Sequence, residues 1–186
     1  MMAEYQKAAE LALECGFFKA GVVPVSGIVF DRAFRKACEQ NTCGNYGKCW
    51  TCPPDAGDID ELIGKARAFD YAVVYQSVSA LEDSFDIEGM TAAAVRHNEM
   101  TGRFVDRSAA LWKGDFLHLS AGGCRICERC AKRDDEPCRH PDRALSSLET
   151  YGVAVSQLAQ LAGMKYINGV NTVTYFGACF FHGMKG

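Results

Sequence analysis

The spacing of apolar and polar residues along the first half of the chain predicts two helices and two strands. Residues 3–15 predict an opening helix, because one face of it would carry Ala8, Leu11, Ala12 and Cys15. The Val-rich run "KAGVVPVSGIVF" predicts a strand with an interruption near Pro24 and Gly27. A second helix, "IDELIGKARAF", starts at Ile59 behind Asp58 and leads into the clearest strand, "YAVVYQSVSA".

The second half of the chain shows the same succession. A helical period runs from Ile87 to Trp112, although Gly102 weakens its middle and predicts one break. "DFLHLSAGG" then predicts a short strand. Ser146 and Glu149 form a capping box, which predicts that the helix "SLETYGVAVSQLAQLAG" begins there. The β-branched and aromatic run "NTVTYFGACFF" predicts the last strand.

This order of elements predicts an α/β or α+β fold. We expect a single domain over residues 1–186, with a mixed sheet of about four strands and helices packed on it. The sequence contains no repeat of the whole unit and no Pro/Gly/Ser-rich linker. Two cysteine-rich loops, residues 38–54 and 122–141, project from this domain in our interpretation.

Composition limits the possible partners and the cellular compartment. With 48% hydrophobic residues in 186, the chain can bury a core without disulfides. A formal net charge of -3 argues against non-specific binding to nucleic acid or to anionic membranes. The first residues do not resemble a secretory signal, and no apolar run is long enough for a transmembrane helix. We therefore expect a cytoplasmic protein whose ten cysteines remain thiols, available as metal ligands or catalysts.

The more compact cysteine group reads Cys124-x2-Cys127-x2-Cys130-x7-Cys138. Three cysteines at every third position can surround one side of a cubane cluster, and a fourth thiolate a loop away completes its ligands. The bacterial ferredoxin sequence shares the first three positions but has a shorter last gap followed directly by proline. Structural zinc sites more often pair their cysteines in two separated Cys-x2-4-Cys units. The spacing therefore favours [4Fe-4S] and leaves zinc as the alternative.

The other group reads Cys38-x4-Cys43-x5-Cys49-x2-Cys52. Gly44 and Gly47 allow tight turns around a bound group, and the prolines after Cys52 prevent a continuing helix. This pattern also predicts a metal-binding loop, with Trp50 positioned to shield it from water. The alternative is a Gly-rich turn with a redox pair formed by Cys49 and Cys52. The division of ligands between the two groups stays open, since ferredoxin cysteines can serve the neighbouring cluster.

Other polar residues near these groups add little to the prediction. Cys15 and Cys179 lie in apolar segments and are expected in the core. His140, beside the second group, is interpreted as a solvated loop residue or as one that tunes the cluster. Five acidic residues there are interleaved with six basic ones: Arg125, Arg129, Lys132, Arg133, Arg139 and Arg143. This near balance indicates a solvated loop. Alternatively, the basic residues offset the charge of a cluster or dock an anionic partner. No nucleotide, flavin or hydrolase motif occurs.

Three stretches occur together in one order: "CGNYGKCWTCPP", "LSAGGCRICERCAKRDDEPCRHP" followed by "SLETYGVAV", and "NGVNTVTYFG". Together they resemble a family of uncharacterised prokaryotic proteins described as predicted metal-binding proteins, over nearly the whole chain. The resemblance implies metal binding through these cysteines, as iron–sulfur, and no established substrate. In the family's first motif, cysteines match Cys38, Cys43 and Cys52, while various residues stand at the position of Cys49. The resemblance thus also allows a three-cysteine site with an open iron.

The leading functional prediction is a small iron–sulfur protein with one or two [4Fe-4S] clusters. It would transfer electrons as a carrier or as the redox subunit of a reductase. The rival is a zinc-stabilised binding or scaffold module without redox chemistry. A third possibility is an enzyme that uses an open iron, or the dithiol of Cys49 and Cys52. A redox partner protein or a small-molecule substrate is expected, and the residues do not identify either.

Overall fold

The computed structural model describes residues 2–111 and 114–183, and its centre is an antiparallel sheet of four strands. In chain order these are β1 (Lys19–Pro24), β2 (Tyr71–Ala80), β3 (Phe116–Leu119) and β4 (Thr172–Phe181), arranged β1-β2-β4-β3. The α+β class and the strand number are confirmed. The sheet is antiparallel in every pair, not mixed. The chain between β1 and β2 contains two helices and a cysteine-rich loop instead of a single crossover helix. This connection does not require β2 to run parallel to β1.

Five α-helices accompany the sheet in the described ranges: α1 (Met2–Glu14), α2 (Ala33–Glu39), α3 (Ile59–Arg67), α4 (Ile87–Leu111) and α5 (Val155–Leu161). The predicted cap of α3 is present, since the Asp58 carboxylate accepts a hydrogen bond from the backbone N–H of Asp60 at 2.8 Å. Helix α4 continues through Gly102 without a break, and Trp112, its predicted end, lies outside the described residues. Helix α2 was not predicted. None of these helices combines the length and apolar composition of a bilayer-spanning segment.

The sheet lies between two layers of helices and loops. Tyr75 and Cys179 belong to the face that packs against α1 and α4, together with Phe104. Val74 and Phe180 belong to the opposite face, which packs against α5 and the chain around Val153. Side chains alternate between the faces because neighbouring strand residues point in opposite directions. Both expected core cysteines are buried, Cys15 at 3% exposure and Cys179 at 0%.

The predicted helix from Ser146 is wrong in its first half. The chain forms a single 3₁₀ turn at Glu149–Tyr151, and α5 begins only at Val155. The hydroxyl of Ser147, one residue after the predicted cap, accepts a hydrogen bond from the Thr150 N–H at 3.2 Å. Gly152 then adopts φ +73°, and its carbonyl accepts from the N–H of Asp31. This pairing with a distant extended segment competes successfully with the local capping box.

Candidate metal and cofactor site

The two cysteine loops, about 70 residues apart in sequence, lie against each other. Gly123 is at the junction: a Cβ on it would be 2.8 Å from the Asn45 side-chain nitrogen and 3.6 Å from Cys52 Sγ. The backbone N–H of Cys124 donates a hydrogen bond to the sulfur of Cys49. The second loop therefore approaches the first by way of a residue that has no side chain.

Three further contacts around Trp50 and Lys132 join the loops. The indole N–H of Trp50 donates to the carbonyl of Glu136 at 2.9 Å. The Lys132 ammonium lies 4.4 Å from the centre of the Trp50 ring and 2.9 Å from a carboxylate oxygen of Asp55. Because both partners of this ion pair are largely shielded, with 19% and 16% of their side-chain surfaces exposed, the pair is less screened than a surface one.

The first loop is shaped by three residues with positive φ. Asn41, Gly44 and Gly47 have φ of 53°, 73° and 66°. The Asn41 side chain accepts from the N–H of Tyr46 at 3.0 Å, and the Gly47 N–H donates to the carbonyl of Pro53 at 2.8 Å. The predicted role of the glycines as turn residues is confirmed, and these bonds turn the chain back on itself.

The four cysteines of the first group occupy different environments. Cys38 is half-buried near the end of α2, and Cys43 is exposed. Cys49 and Cys52 are buried at 3% and 8% exposure and hydrogen-bond to each other. The hydrogen bond from Cys52, together with donors from Thr51 and Cys124, holds the pKa of the Cys49 thiol well below its usual range. The pKa of Cys52 is raised, first by its hydrogen bond to Cys49 and then by burial.

The second group surrounds one small cavity. Ala131 and His140 contribute to its wall, together with all four cysteines of the group: Cys124, Cys127, Cys130 and Cys138. The long gap before Cys138 is taken up by a 3₁₀ turn, Ala131–Asp134, followed by Asp135 at φ 54°. The Glu136 N–H then donates to the carbonyl of Ala131 at 3.1 Å, so the chain reverses and returns Cys138 to the cavity. The seven-residue gap is thus a folded turn.

Electrostatic coupling extends across both groups. Burial is the main cause that raises the pKa of the Cys124 thiol, and the nearby Cys49, Cys138 and Cys130 raise it further. Cys43 and Cys38 act in the same direction on Cys52. The thiols are therefore close enough for a negative charge on one to disfavour a charge on the next. A bound cation would remove that repulsion.

The donor set fits a thiolate-bound cofactor in its chemistry. All ten cysteines are free thiols, so each of them can act as a thiolate donor. As the side chains are placed, no set of three or more His, Cys, Asp or Glu in the described ranges could hold a metal ion. The shared cavity makes the second group the better fit, whereas in the first group only Cys49 and Cys52 are hydrogen-bonded to each other. The ligand roles of all eight cysteines stay predictions.

The basic residues around the second group are mostly neutralised by carboxylates. Arg129 pairs with Asp134 and Arg139 with Glu136, both on the surface. The remaining pairs are Lys132 with Asp55 and Arg143 with Asp106. Within the described ranges, Arg125 and Arg133 have no hydrogen-bond or ion-pair partner on their side chains. The interpretation as a solvated, nearly neutral loop therefore describes most of this segment, and the shielded Lys132 is the exception.

Sequence reasoning missed the contacts that join the loops. Asn45, Asp55 and Gly123 have no local pattern that points to a partner about 80 residues away. Lys132 was counted among residues of a solvated loop, yet it is the cation that joins Asp55 and Trp50. The only available signal was the density of glycine before Cys124, which indicates a close approach of the backbone.

Fold and site together define a small α+β protein with two cysteine groups that meet beside the sheet. The chain belongs to the family described as "Predicted metal-binding protein (DUF2284)", whose model matches residues 21–181. The expected family resemblance is confirmed, and with it metal binding as the predicted property of the family. Searches of curated proteins and of solved structures found no significant match.

Proposed function

We propose that this protein is a cytoplasmic iron–sulfur protein in which Cys124, Cys127, Cys130 and Cys138 hold a [4Fe-4S] cluster. Its function would be electron transfer, as a carrier or within a reductase. The observation that carries the proposal is the single cavity lined by all four of these thiols. The family description supports a metal, and ten free cysteines suit a reducing compartment.

Such a cluster accepts and releases single electrons. The residues around it would set its position and its exposure. The 3₁₀ turn after Cys130 and the buried Ala131 fix one wall of the cavity. The guanidinium of Arg139 donates to the carbonyl of Arg129 at 3.1 Å, which ties the chain next to Cys138 to the chain next to Cys130. These bonds keep the fourth thiol beside the other three.

The first loop would cover and support this site. Trp50 and Lys132 join the two loops on the side of Glu136, and Cys49 receives a hydrogen bond from the Cys124 N–H. Cys38, Cys43 and Cys52, with or without Cys49, are candidate ligands of a second cluster. With three of these ligands, one iron would be open to substrate. A redox partner protein or a small-molecule substrate would then supply or receive the electrons.

The decisive experiment is purification without oxygen, followed by analysis of iron, acid-labile sulfide and zinc. An iron–sulfur protein is expected to contain about four irons per site and to absorb near ~400 nm, with bleaching by dithionite. Colourless protein with stoichiometric zinc would instead identify the scaffold alternative, because d10 zinc has no redox step or visible band.

The hydrogen-bonded pair of buried thiols supports a second candidate, a dithiol formed by Cys49 and Cys52. Replacing Cys49 with Ser separates the two roles. If Cys49 is only a ligand, the Cys49→Ser variant is expected to lose metal from the first group. If it belongs to a redox dithiol, the variant keeps its metal, and its remaining thiols no longer form a disulfide with a mild oxidant.

A further inference from the structure

A cleft lies between α4 and the second cysteine loop, next to the cysteine cavity. Its volume is about 490 Å³, which is within the range of small-molecule sites. Cys124 and Ile126 contribute to the walls of both the cleft and the cavity. A molecule in the cleft would therefore lie next to a proposed cluster ligand, whereas no residue of the first group lines it.

The charged residues of the cleft leave one free cation on the loop side. Arg143 is neutralised by two hydrogen bonds of 3.1 Å each to Asp106. Arg103 donates to the carbonyl of Cys15, outside the cleft wall. Arg125, which lies next to Cys124, has no hydrogen-bond or ion-pair partner in the part of the chain described. Among the described residues, the five charged side chains that line the cleft, including Glu99, sum to one positive charge, which suits a monoanion.

An unsatisfied hydrogen-bond donor lies in the same wall. The side-chain oxygen of Asn98 accepts from the Ser120 hydroxyl at 3.0 Å, which fixes the amide. Its Nδ2 is shielded from solvent and has no partner among the described residues. A buried donor without an acceptor costs free energy, and a ligand oxygen would recover it. Arg125 and Asn98 thus offer two donors to one acceptor group.

The remaining walls of the cleft are apolar: Val95, Gly102, Val105, Ile126 and Leu145. The exposed fractions of Val95 and Ile126 are 42% and 45%, so apolar surface remains open to a ligand. Phosphate or another small dianion would gain nothing from these walls and would meet too little positive charge. An apolar body attached to one carboxylate satisfies both the walls and the donors.

We propose that the cleft binds a small monocarboxylate with an apolar body, whose carboxylate contacts Arg125 and Asn98. As a binding site the cleft stands on its own geometry; its use as the substrate site beside the cluster rests on the proposed function. Benzoate is a suitable probe, and benzamide is its uncharged counterpart of nearly the same shape.

The test is calorimetric titration of the whole protein, purified without oxygen, with benzoate, benzamide and inorganic phosphate. We expect saturable binding of benzoate, with benzamide and phosphate at least tenfold weaker. Arg125→Gln should weaken benzoate at least tenfold and abolish the preference over benzamide. The matched control is Arg133→Gln, another unpaired arginine of the same loop outside the cleft, which should keep benzoate affinity within twofold. Asn98→Asp should also abolish benzoate binding, because it replaces the donor with a carboxylate.

Several outcomes would overturn the inference: no saturable binding of benzoate, equal affinity for benzamide, tighter binding of phosphate, or equal losses in the two arginine variants. Absorbance near ~400 nm and iron content are measured on the same samples. A protein that contains its cluster but does not bind benzoate contradicts the cleft alone. A protein that binds benzoate but contains no iron and sulfide contradicts the proposed function alone.

Discussion

The two cysteine groups differ in their relation to the core. In the first, Cys49 and Cys52 are as buried as core residues, and their sulfurs are satisfied by hydrogen bonds within the protein. In the second, no cysteine is buried, and all four line a cavity formed by one loop. The difference indicates that the first loop contributes to the fold as well as to any metal site. In the proposed function, the second loop is specialised for the cluster.

The largest expected effect is a loss of metal from the second group without a matching loss of protein stability. In the proposed function, Cys138→Ala should lower the iron content of that site severalfold, because the cluster is then held by three thiolates instead of four. The free energy of unfolding of the metal-free variant should lie within about 0.5 kcal/mol of the metal-free wild-type value, since Cys138 is not buried. Iron analysis and urea denaturation of the metal-free proteins measure the two effects.

The matched change in the first group is Cys52→Ala. This change leaves a buried space beside Gly123 and removes a hydrogen bond to Cys49. The free energy of unfolding of the metal-free variant should therefore fall by about 1–2 kcal/mol. Equal stability of the Cys52→Ala and Cys138→Ala variants would contradict the distinction between the two loops.

Two buried histidines in the body of the protein should make it sensitive to acid, in addition to the Cys49 thiol of the first loop, whose lowered pKa acts in the same direction. Burial lowers the pKa of both His97 and His118 to about 4, whereas an unfolded histidine has a pKa of about 6.5. The unfolded chain thus binds more protons in this interval, and stability falls as the pH is lowered from about 6.5 to about 4. Each histidine contributes about 3 kcal/mol to the loss.

This prediction is measured by denaturant unfolding of metal-free protein at a series of pH values. His97→Gln should remove about one third of the slope between pH 6.5 and 4, because His118 and Cys49 still contribute, even if the change lowers the stability at neutral pH. Cys138→Ala should keep the full slope. A slope that disappears in Cys138→Ala but persists in His97→Gln would place the acid sensitivity in the loops.

A smaller effect is expected where the loops touch. In Gly123→Ala the new methyl group would lie 2.8 Å from the Asn45 amide, which must rotate away. We expect the free energy of unfolding to fall by about 1 kcal/mol and both cysteine groups to retain metal less tightly. Gly64→Ala in α3 is the control, because its new methyl group would not crowd any atom outside the backbone of its own helix and alanine favours the helix. Thermal unfolding and retention of iron against a chelator would show whether the junction couples the loops.

The smallest effect concerns the ion pair between the loops. Lys132→Met should lower the melting temperature more than Arg133→Met, since only Lys132 has an anionic partner and a stacked aromatic ring. In an Asp55→Asn background the additional effect of Lys132→Met should shrink, because the two changes remove one interaction. Additive shifts would show that the contact contributes nothing to holding the loops together.

Local patterns in the sequence were sufficient for much of the fold. The strand at Tyr71–Ala80 and the Asp58 cap of α3 were predicted because alternation and capping act over a few residues. The capping box at Ser146 failed because Gly152 and Asp31 form a bond between distant segments. The antiparallel sheet was missed for a similar reason, since strand direction depends on how the long connections pack.

The sequence by itself determined the candidate residues of the proposed site, since eight cysteines in two short groups favour thiolate sites. Tertiary structure alone decided that the groups meet at Gly123, that Lys132 joins Asp55 to Trp50, and that Cys124 lines both a cavity and a cleft. The spacing of residues along the chain predicts only the geometry of neighbouring residues. Contacts between the loops arise from the packing of the sheet and its helices, which brings remote segments to one place.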